Sequence, residues 1–194
     1  MARTLLLGVD VGTSAVKAAL FEPEGRLVAM ARAACRPDSP RPGWSETPPQ
    51  RWWNATREAL AALGPRVDDA AGLGLSVLFP ALIALDARGR PLRPAILYND
   101  QRSAHTVARL GPRRAAIERL TGNRLAPGTC SLSSLLWLRE HEPAAYRNAA
   151  VFGHVDTFLV HKLAGVFAMD RGNASLSGLV ELGREERFSQ RLCR

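Results

Sequence analysis

The chain opens on short apolar runs separated by polar, glycine-containing breaks, and past Asp100 its apolar residues fall mainly at helical spacing. Residues 4–11 and 15–22 are apolar runs joined by Gly12-Thr13-Ser14, which predicts two buried strands in a hairpin. Pro23-Glu24-Gly25 marks the next turn, and Arg26 to Ala34 supplies a third strand, completing an antiparallel meander. Pro37, Pro40, Pro42, Pro48 and Pro49 make the following stretch an extended surface connection. A helix is predicted from near Pro49, since proline is tolerated in a first turn and Trp52, Thr56, Ala59, Leu60 and Leu63 follow at helical spacing. Gly64-Pro65 ends it. Trp52 and Trp53 are adjacent and so point apart, one to anchor the core and the other to wall a cleft or domain edge.

Gly72 to Val77 and Ala81 to Asp86 read as strands, with a turn at Ala87-Arg88-Gly89-Arg90 and a further short strand around Ile96-Leu97-Tyr98. Asp100 is placed to cap a helix running to about Arg119, interrupted at Gly111-Pro112 and carrying Val107, Leu110, Ile117 and Leu120. Ser131 or Ser133 begins another, with Leu135, Leu136 and Leu138 on its apolar side, ending before Pro143. Asp156 is placed to cap a short helix from Thr157 to Leu163, with Gly165 just past its end. Asp170, Asn173 and Ser175 read as turn-capping residues, and Glu185-Glu186-Arg187 as a solvated helix or tail.

With 194 residues and 46% hydrophobic content the chain can bury a substantial core. No apolar stretch reaches the roughly 20 residues that span a bilayer. Met1-Ala2-Arg3-Thr4 runs into the first strand without a cleavage-site pattern, so a cytoplasmic protein without a membrane partner is expected. Cys35, Cys130 and Cys193 are few and far apart, as for free thiols in a reducing compartment. The net charge of +8 does not argue for nucleic acid, because the arginines are scattered and no basic stripe interleaved with aromatics occurs. His105, His141, His154 and His161 form no His-Glu-x-x-His pattern, and His154 with Asp156 lacks a third metal ligand at suggestive spacing.

The first hairpin carries the chemistry. Its turn offers backbone N–H groups and two hydroxyls, the donors that a phosphate chain needs, and Asp10 at the rim suits Mg²⁺ held directly or through water. No Gly-x4-Gly-Lys-Ser/Thr loop occurs, and Gly72-x-Gly74 lacks the third glycine of a dinucleotide fingerprint. A polar hairpin turn without a ligand is the alternative. Strands followed by helices, with this turn at the start, fit an α/β domain of the ribonuclease H-like or actin-like ATPase type, a mixed sheet with flanking helices.

Several segments in order resemble the FGGY carbohydrate kinases: Gly8 to Ser14 with Lys17, Gly43-Trp44-Ser45-Glu46, Arg51-Trp52-Trp53, Asp86 to Arg102, Thr121-Gly122-Asn123, Leu135 to Pro143 and Asp156 to Gly165. The resemblance covers nearly all of residues 1–194 and implies an incomplete N-terminal lobe of a kinase that phosphorylates a hydroxyl of a sugar or polyol with ATP and Mg²⁺. It implies Asp10 as Mg²⁺ ligand, Gly12, Thr13 and Ser14 as phosphate donors, and Lys17 as a phosphate cation or a solvated strand lysine. Tyr98 matches a position where relatives set an aromatic against the substrate, core packing being the alternative. Asp100 and Arg102 form a polar wall, or Asp100 caps a helix.

Two departures from the family pattern bear on function. Relatives often carry a Gly-Gln-Met-His-Gly type loop where this chain has Val77-Leu78-Phe79-Pro80-Ala81, so no imidazole reaches a sugar hydroxyl there and Phe79 is left to line the pocket. Family members are usually considerably longer, and their general base, in a Gly-Gly-Asp type turn, is expected beyond Arg194. The expected partners are therefore a C-terminal lobe or a second copy covering an exposed apolar face, together with a small sugar or polyol. The competing reading is a non-catalytic remnant or binding module that keeps the kinase fold.

Overall fold

The computed structural model describes residues 4–183 and 187–193; Glu185 and Glu186, expected in a solvated helix or tail, lie outside the described residues. The strands are β1 (Leu5–Val11), β2 (Ala15–Phe21), β3 (Leu27–Ala34), β4 (Glu46–Thr47), β5 (Ala70–Val77), β6 (Ala81–Leu85), β7 (Ala95–Leu97) and β8 (Val151–Gly153). The helices are α1 (Pro49–Ala62), α2 (Ala104–Ala108), α3 (Pro112–Thr121), α4 (Ser131–His141), α5 (Pro143–Asn148), α6 (Val155–Ala164) and α7 (Arg171–Leu176). They sort into two compact units, one from Met1–Pro37 with Pro48–Leu78, the other from Asp38–Thr47 with Phe79–Arg194.

The first unit is a mixed sheet in the order β3-β2-β1-β5 with α1 on one face. β1 to β3 form the expected antiparallel meander, and β5 returns parallel to β1, the pairing that a crossover helix permits. The period of two decides which face each residue serves: Leu5, Leu7, Val9 and Val11 are buried while Asp10 alternates away from them. α1 begins at its proline and buries Trp52, Ala55, Thr56 and Ala59, the i, i+3, i+4, i+7 stripe of an amphipathic helix. Trp52 is the core tryptophan and Trp53 is half-buried; burial of a side chain that large contributes about 1.5–3 kcal/mol. Leu6 and Met30 remain exposed on the sheet.

In the second unit the sheet order is β4-β7-β6-β8, antiparallel throughout. Every residue of β6 is buried, which is why its sequence is a continuous apolar run. Trp137 and Leu138 of α4 pack on Leu82, Ala84 and Ile96. A second cluster joins Val107, Leu125, Cys130 and Leu132.

Two expected caps are corrected. The helix foreseen from Asp100 to about Arg119 is two helices, α2 and α3, parted at Gly111, whose φ of 51° suits glycine, and Pro112. Ser103, not Asp100, holds the residue before α2, because the Asp100 carboxylate is engaged elsewhere. His154, not Asp156, precedes α6, while Gly165 closes that helix in the left-handed conformation as foreseen. Asp170 does cap α7, accepting from the Asn173 N–H at 2.9 Å.

Candidate active site

In the first unit Asp10 lies near the carboxyl end of β1, opposite Lys17 of β2 on one side and Ser76 of β5 on the other. The Lys17 Nζ is 3.4 Å from Asp10 Oδ2, and the Ser76 Oγ is 3.5 Å from Asp10 Oδ1. Both charged side chains are half-exposed, at 54% for Lys17 and 50% for Asp10, so their ion pair contributes about 0–1 kcal/mol and exchanges readily for another partner. The carboxyl ends of parallel strands are where open α/β sheets place ligands. Ser76 was not singled out as a site residue from the sequence; only the parallel pairing of β5 with β1 puts it beside Asp10.

The turn differs in one respect from expectation. The Gly12 N–H donates to the Ala15 carbonyl at 2.9 Å, closing the hairpin, so the amide assigned to a phosphate is already engaged. A Cβ at Gly12 would sit 3.3 Å from that same carbonyl, which accounts for glycine here by close approach. Cys35 fastens the turn from behind, its N–H donating to the Ser14 carbonyl at 3.0 Å. Ser14 itself is exposed at the tip and Thr13 half-buried. A single open carboxylate with a hydroxyl and an ammonium beside it fits Mg²⁺ bound to phosphate, because Mg²⁺ keeps several waters and takes one or two carboxylates rather than a protein cage. Among the described residues no cluster of three or more His, Cys, Asp or Glu side chains is arranged for a metal.

In the second unit, Ala81 of β6 pairs with Leu97 of β7, so Phe79 and Tyr98 leave the same end of that ladder. Both rings are substantially exposed, at 49% and 42%, which removes core packing as the reason for either. Gly128, at φ +72°, approaches Tyr98 so closely that a Cβ there would lie 1.8 Å from its carbonyl oxygen.

Asp100 and Arg102 are elsewhere engaged. Their side chains are each 1% exposed. Asp100 Oδ2 accepts from the Ser45 N–H at 2.6 Å and Arg102 Nη2 at 2.8 Å, and Oδ1 accepts from the Arg102 N–H and Nε at 2.9 and 2.8 Å. That uses the roughly four lone-pair sites of a carboxylate. Arg102 Nη1 donates to Glu46 Oε1 at 2.7 Å, and Arg93 Nη2 donates to the same oxygen at 2.6 Å. The Arg102 guanidinium lies 3.6 Å from the centroid of Trp44, whose ring meets Trp137 edge-on. The pair expected as a polar wall is thus an internal brace among Ser45, Glu46, Trp44 and Trp137. Glu46, Arg93 and Trp44 were not assigned to it, since their separations in the chain leave no local pattern.

The model of the FGGY family of carbohydrate kinases, N-terminal domain, matches residues 5–194. The xylulose kinase of Escherichia coli K12 is 36% identical over 173 residues, covering 88% of this chain and 36% of its own length. The glycerol kinase of Methylibium petroleiphilum is 34% identical, over 93% of this chain and 39% of the relative. A crystal structure described as a xyloylose kinase from Brucella ovis superimposes with a TM-score of 0.91 at 32% identity, over 97% of this chain and 40% of its own. The chain therefore spans less than half the length of the relatives it matches. Its mixed sheet, meander and flanking helices are those of the ribonuclease H-like, actin-like ATPase fold. On the family match, the extent of the similarity and the agreement of fold, the chain belongs to the FGGY family of carbohydrate kinases, whose N-terminal domain it carries.

Proposed function

We propose that this chain supplies the phosphate-turn and sugar-recognition portion of a kinase that transfers a phosphoryl group from ATP to a hydroxyl of a sugar or polyol. The observation that carries the reading is Asp10, an open carboxylate at a strand end, flanked in register by Lys17 and Ser76. Mg²⁺ bound to ATP would supply neutralisation of phosphate charge and an electrophilic phosphorus. Asp10 would hold the metal directly or through water, Lys17 would turn from Asp10 to a phosphate oxygen, and Thr13 and Ser14 would donate from the turn. Gly12 gives the turn its shape and not its donor. Phe79 and Tyr98 would offer ring faces to the C–H side of the sugar. Asp100 and Arg102 would act as an internal brace without touching substrate.

No residue of this chain is assigned as the general base, and the exposed Leu6 and Met30 support a further lobe or a second copy as partner. ATP as donor and the free thiols of Cys35, Cys130 and Cys193 support a reducing cytoplasm as the working compartment. One observation favours a binding module instead: the Val77-to-Ala81 loop carries no imidazole.

Calorimetric titration of the chain with Mg·ATP, then with a panel of ketopentoses, aldonates and polyols, tests the proposal. Binding of Mg·ATP and of at least one panel member is expected. Binding of a sugar without Mg·ATP would favour the module, and binding of neither would refute both.

A further inference from the structure

The second unit holds a polar relay that the proposed kinase chemistry does not use. Ser131 is the first residue of α4, and its hydroxyl lies 2.5 Å from His154 Nε2. The other ring nitrogen, Nδ1, is 3.0 Å from Asn173 Oδ1 at α7, and the Asn173 amide nitrogen donates to Asp170 Oδ2 at 2.6 Å. Ser131, His154 and Asn173 are all buried. The carboxamide oxygen of Asn173 can only accept, so Nδ1 carries the proton and Nε2 accepts from the serine hydroxyl. A nucleophile bonded to a base whose far side is oriented by a third group is the constellation used for acyl transfer on unrelated folds.

The relay opens on a cavity. Ser131 and His154 line an apolar hollow of about 210 Å³ together with Leu82, Leu135, Phe152, Met169 and Leu179. A cavity of roughly 150 Å³ accommodates benzene, so this one takes a short acyl or small aromatic group. Ser131 lies at the positive end of the α4 macrodipole, where the Leu132 N–H donates to the Ser177 carbonyl at 2.8 Å. Burial holds the His154 ring below its ordinary value, to about 4, so it is neutral throughout the neutral range.

We propose that Ser131, His154 and Asn173 form a second, hydrolytic site that cleaves small carboxylic esters, with Ser131 as nucleophile, His154 as general base and Asn173 as positioning residue. Ser131 Oγ bonds to the ester carbonyl carbon as its proton passes to His154 Nε2. The carbon–alkoxide bond breaks, and the leaving oxygen takes that proton as an alcohol. Solvent water then adds its oxygen to the acyl carbon, giving a proton to Nε2 that returns to Ser131 Oγ as the carboxylic acid departs.

The test uses p-nitrophenyl acetate and diisopropyl fluorophosphate on the intact chain. Expected results are a p-nitrophenol signal, a diisopropylphosphorylated Ser131 by peptide mass spectrometry, and a hydrolysis rate lowered about a hundredfold or more in His154→Gln. Labelling the unsubstituted chain needs no variant to fold. Asn173→Asp is expected to keep Ser131 labelling while moving its pH midpoint upward, because a carboxylate beside Nδ1 favours the imidazolium. Absence of a Ser131 adduct, or hydrolysis unchanged in Ser131→Ala, would overturn the site, and an unmoved pH midpoint would overturn the role of Asn173.

Discussion

Replacing Arg102 by methionine keeps much of the side-chain volume and removes the charge that Asp100 and Glu46 share. In the native chain the guanidinium is 1% exposed and donates to both carboxylates. After the change Asp100 keeps only the Ser45 and Arg102 N–H groups, and Glu46 keeps Arg93. Removing one partner of a buried pair costs about 3–5 kcal/mol, because the other charge stays desolvated. Against a domain stability of about 5–15 kcal/mol this is a large fraction. With a urea m-value of about 2 kcal/mol/M, the unfolding midpoint falls by about 1.5–2.5 M. Equilibrium urea unfolding followed by tryptophan emission reads it, since Trp44 and Trp137 lie 3.6 and 5.0 Å from the guanidinium. Arg102→Lys should recover only part of the loss, as an ammonium cannot reproduce the fork. Pairing Arg102→Met with Asp100→Leu should cost less than the sum of the single changes, because no isolated charge then remains. A loss below about 1 kcal/mol for Arg102→Met, or strict additivity in the cycle, would refute the brace.

Gly128→Ala should destabilise by about 1–3 kcal/mol for the left-handed backbone alone, and by more as its Cβ pushes the Tyr98 carbonyl; thermal melting that leaves the midpoint unchanged would show that this contact is not needed. Lys17→Ala should leave stability within about 1 kcal/mol, since the ion pair is exposed, yet weaken Mg·ATP binding by about tenfold in a fluorescence titration. Two buried groups contribute to the acid dependence with opposite signs. His154 has its value lowered from 6.5 to about 4, so the unfolded chain holds the extra proton between these values and stability falls as pH drops through that window. Asp156 has its value raised from 3.8 to about 6, chiefly by burial, so the folded chain holds the extra proton and stability rises as pH falls below 6. Asp156→Asn removes the second effect, and its stability relative to the native chain should drop by about 1–2 kcal/mol between pH 7 and pH 4.5 in urea midpoints, after allowance for solvent reaching the carboxyl. A constant difference across that range would refute it.

The meander was legible because its strands are apolar runs bounded by glycine-containing polar turns, and α1 because its apolar residues recur at helical spacing after a proline start. The elements not foreseen, β4, α5, β8 and α7, are at most six residues long, too short for periodicity to declare them. At the site, Asp10, Thr13, Ser14 and Lys17 were visible as one local hairpin, whereas Ser76 joins them only through a parallel pairing to a strand far along the chain. Asp100 looked like a helix cap because a carboxylate before a helical run usually is one; a tertiary partner, the backbone N–H of Ser45, claimed it instead. His154 and Asp156 lacked a third metal ligand at suggestive spacing, and the imidazole turns to Ser131 and Asn173 while Asp156 accepts from the Asp170 N–H at 3.1 Å. Contacts set by the packing of separate helices leave no spacing to read.

The most direct test of the assignment is a Mg²⁺ titration at fixed ATP with native chain and Asp10→Asn side by side, heat of nucleotide binding being the readout. Native chain should bind ATP tightly only as Mg²⁺ is added, and Asp10→Asn should lose that metal-dependent gain while keeping its fold by circular dichroism. Equal metal dependence in the two proteins would contradict the placement of the metal-bound phosphates at Asp10.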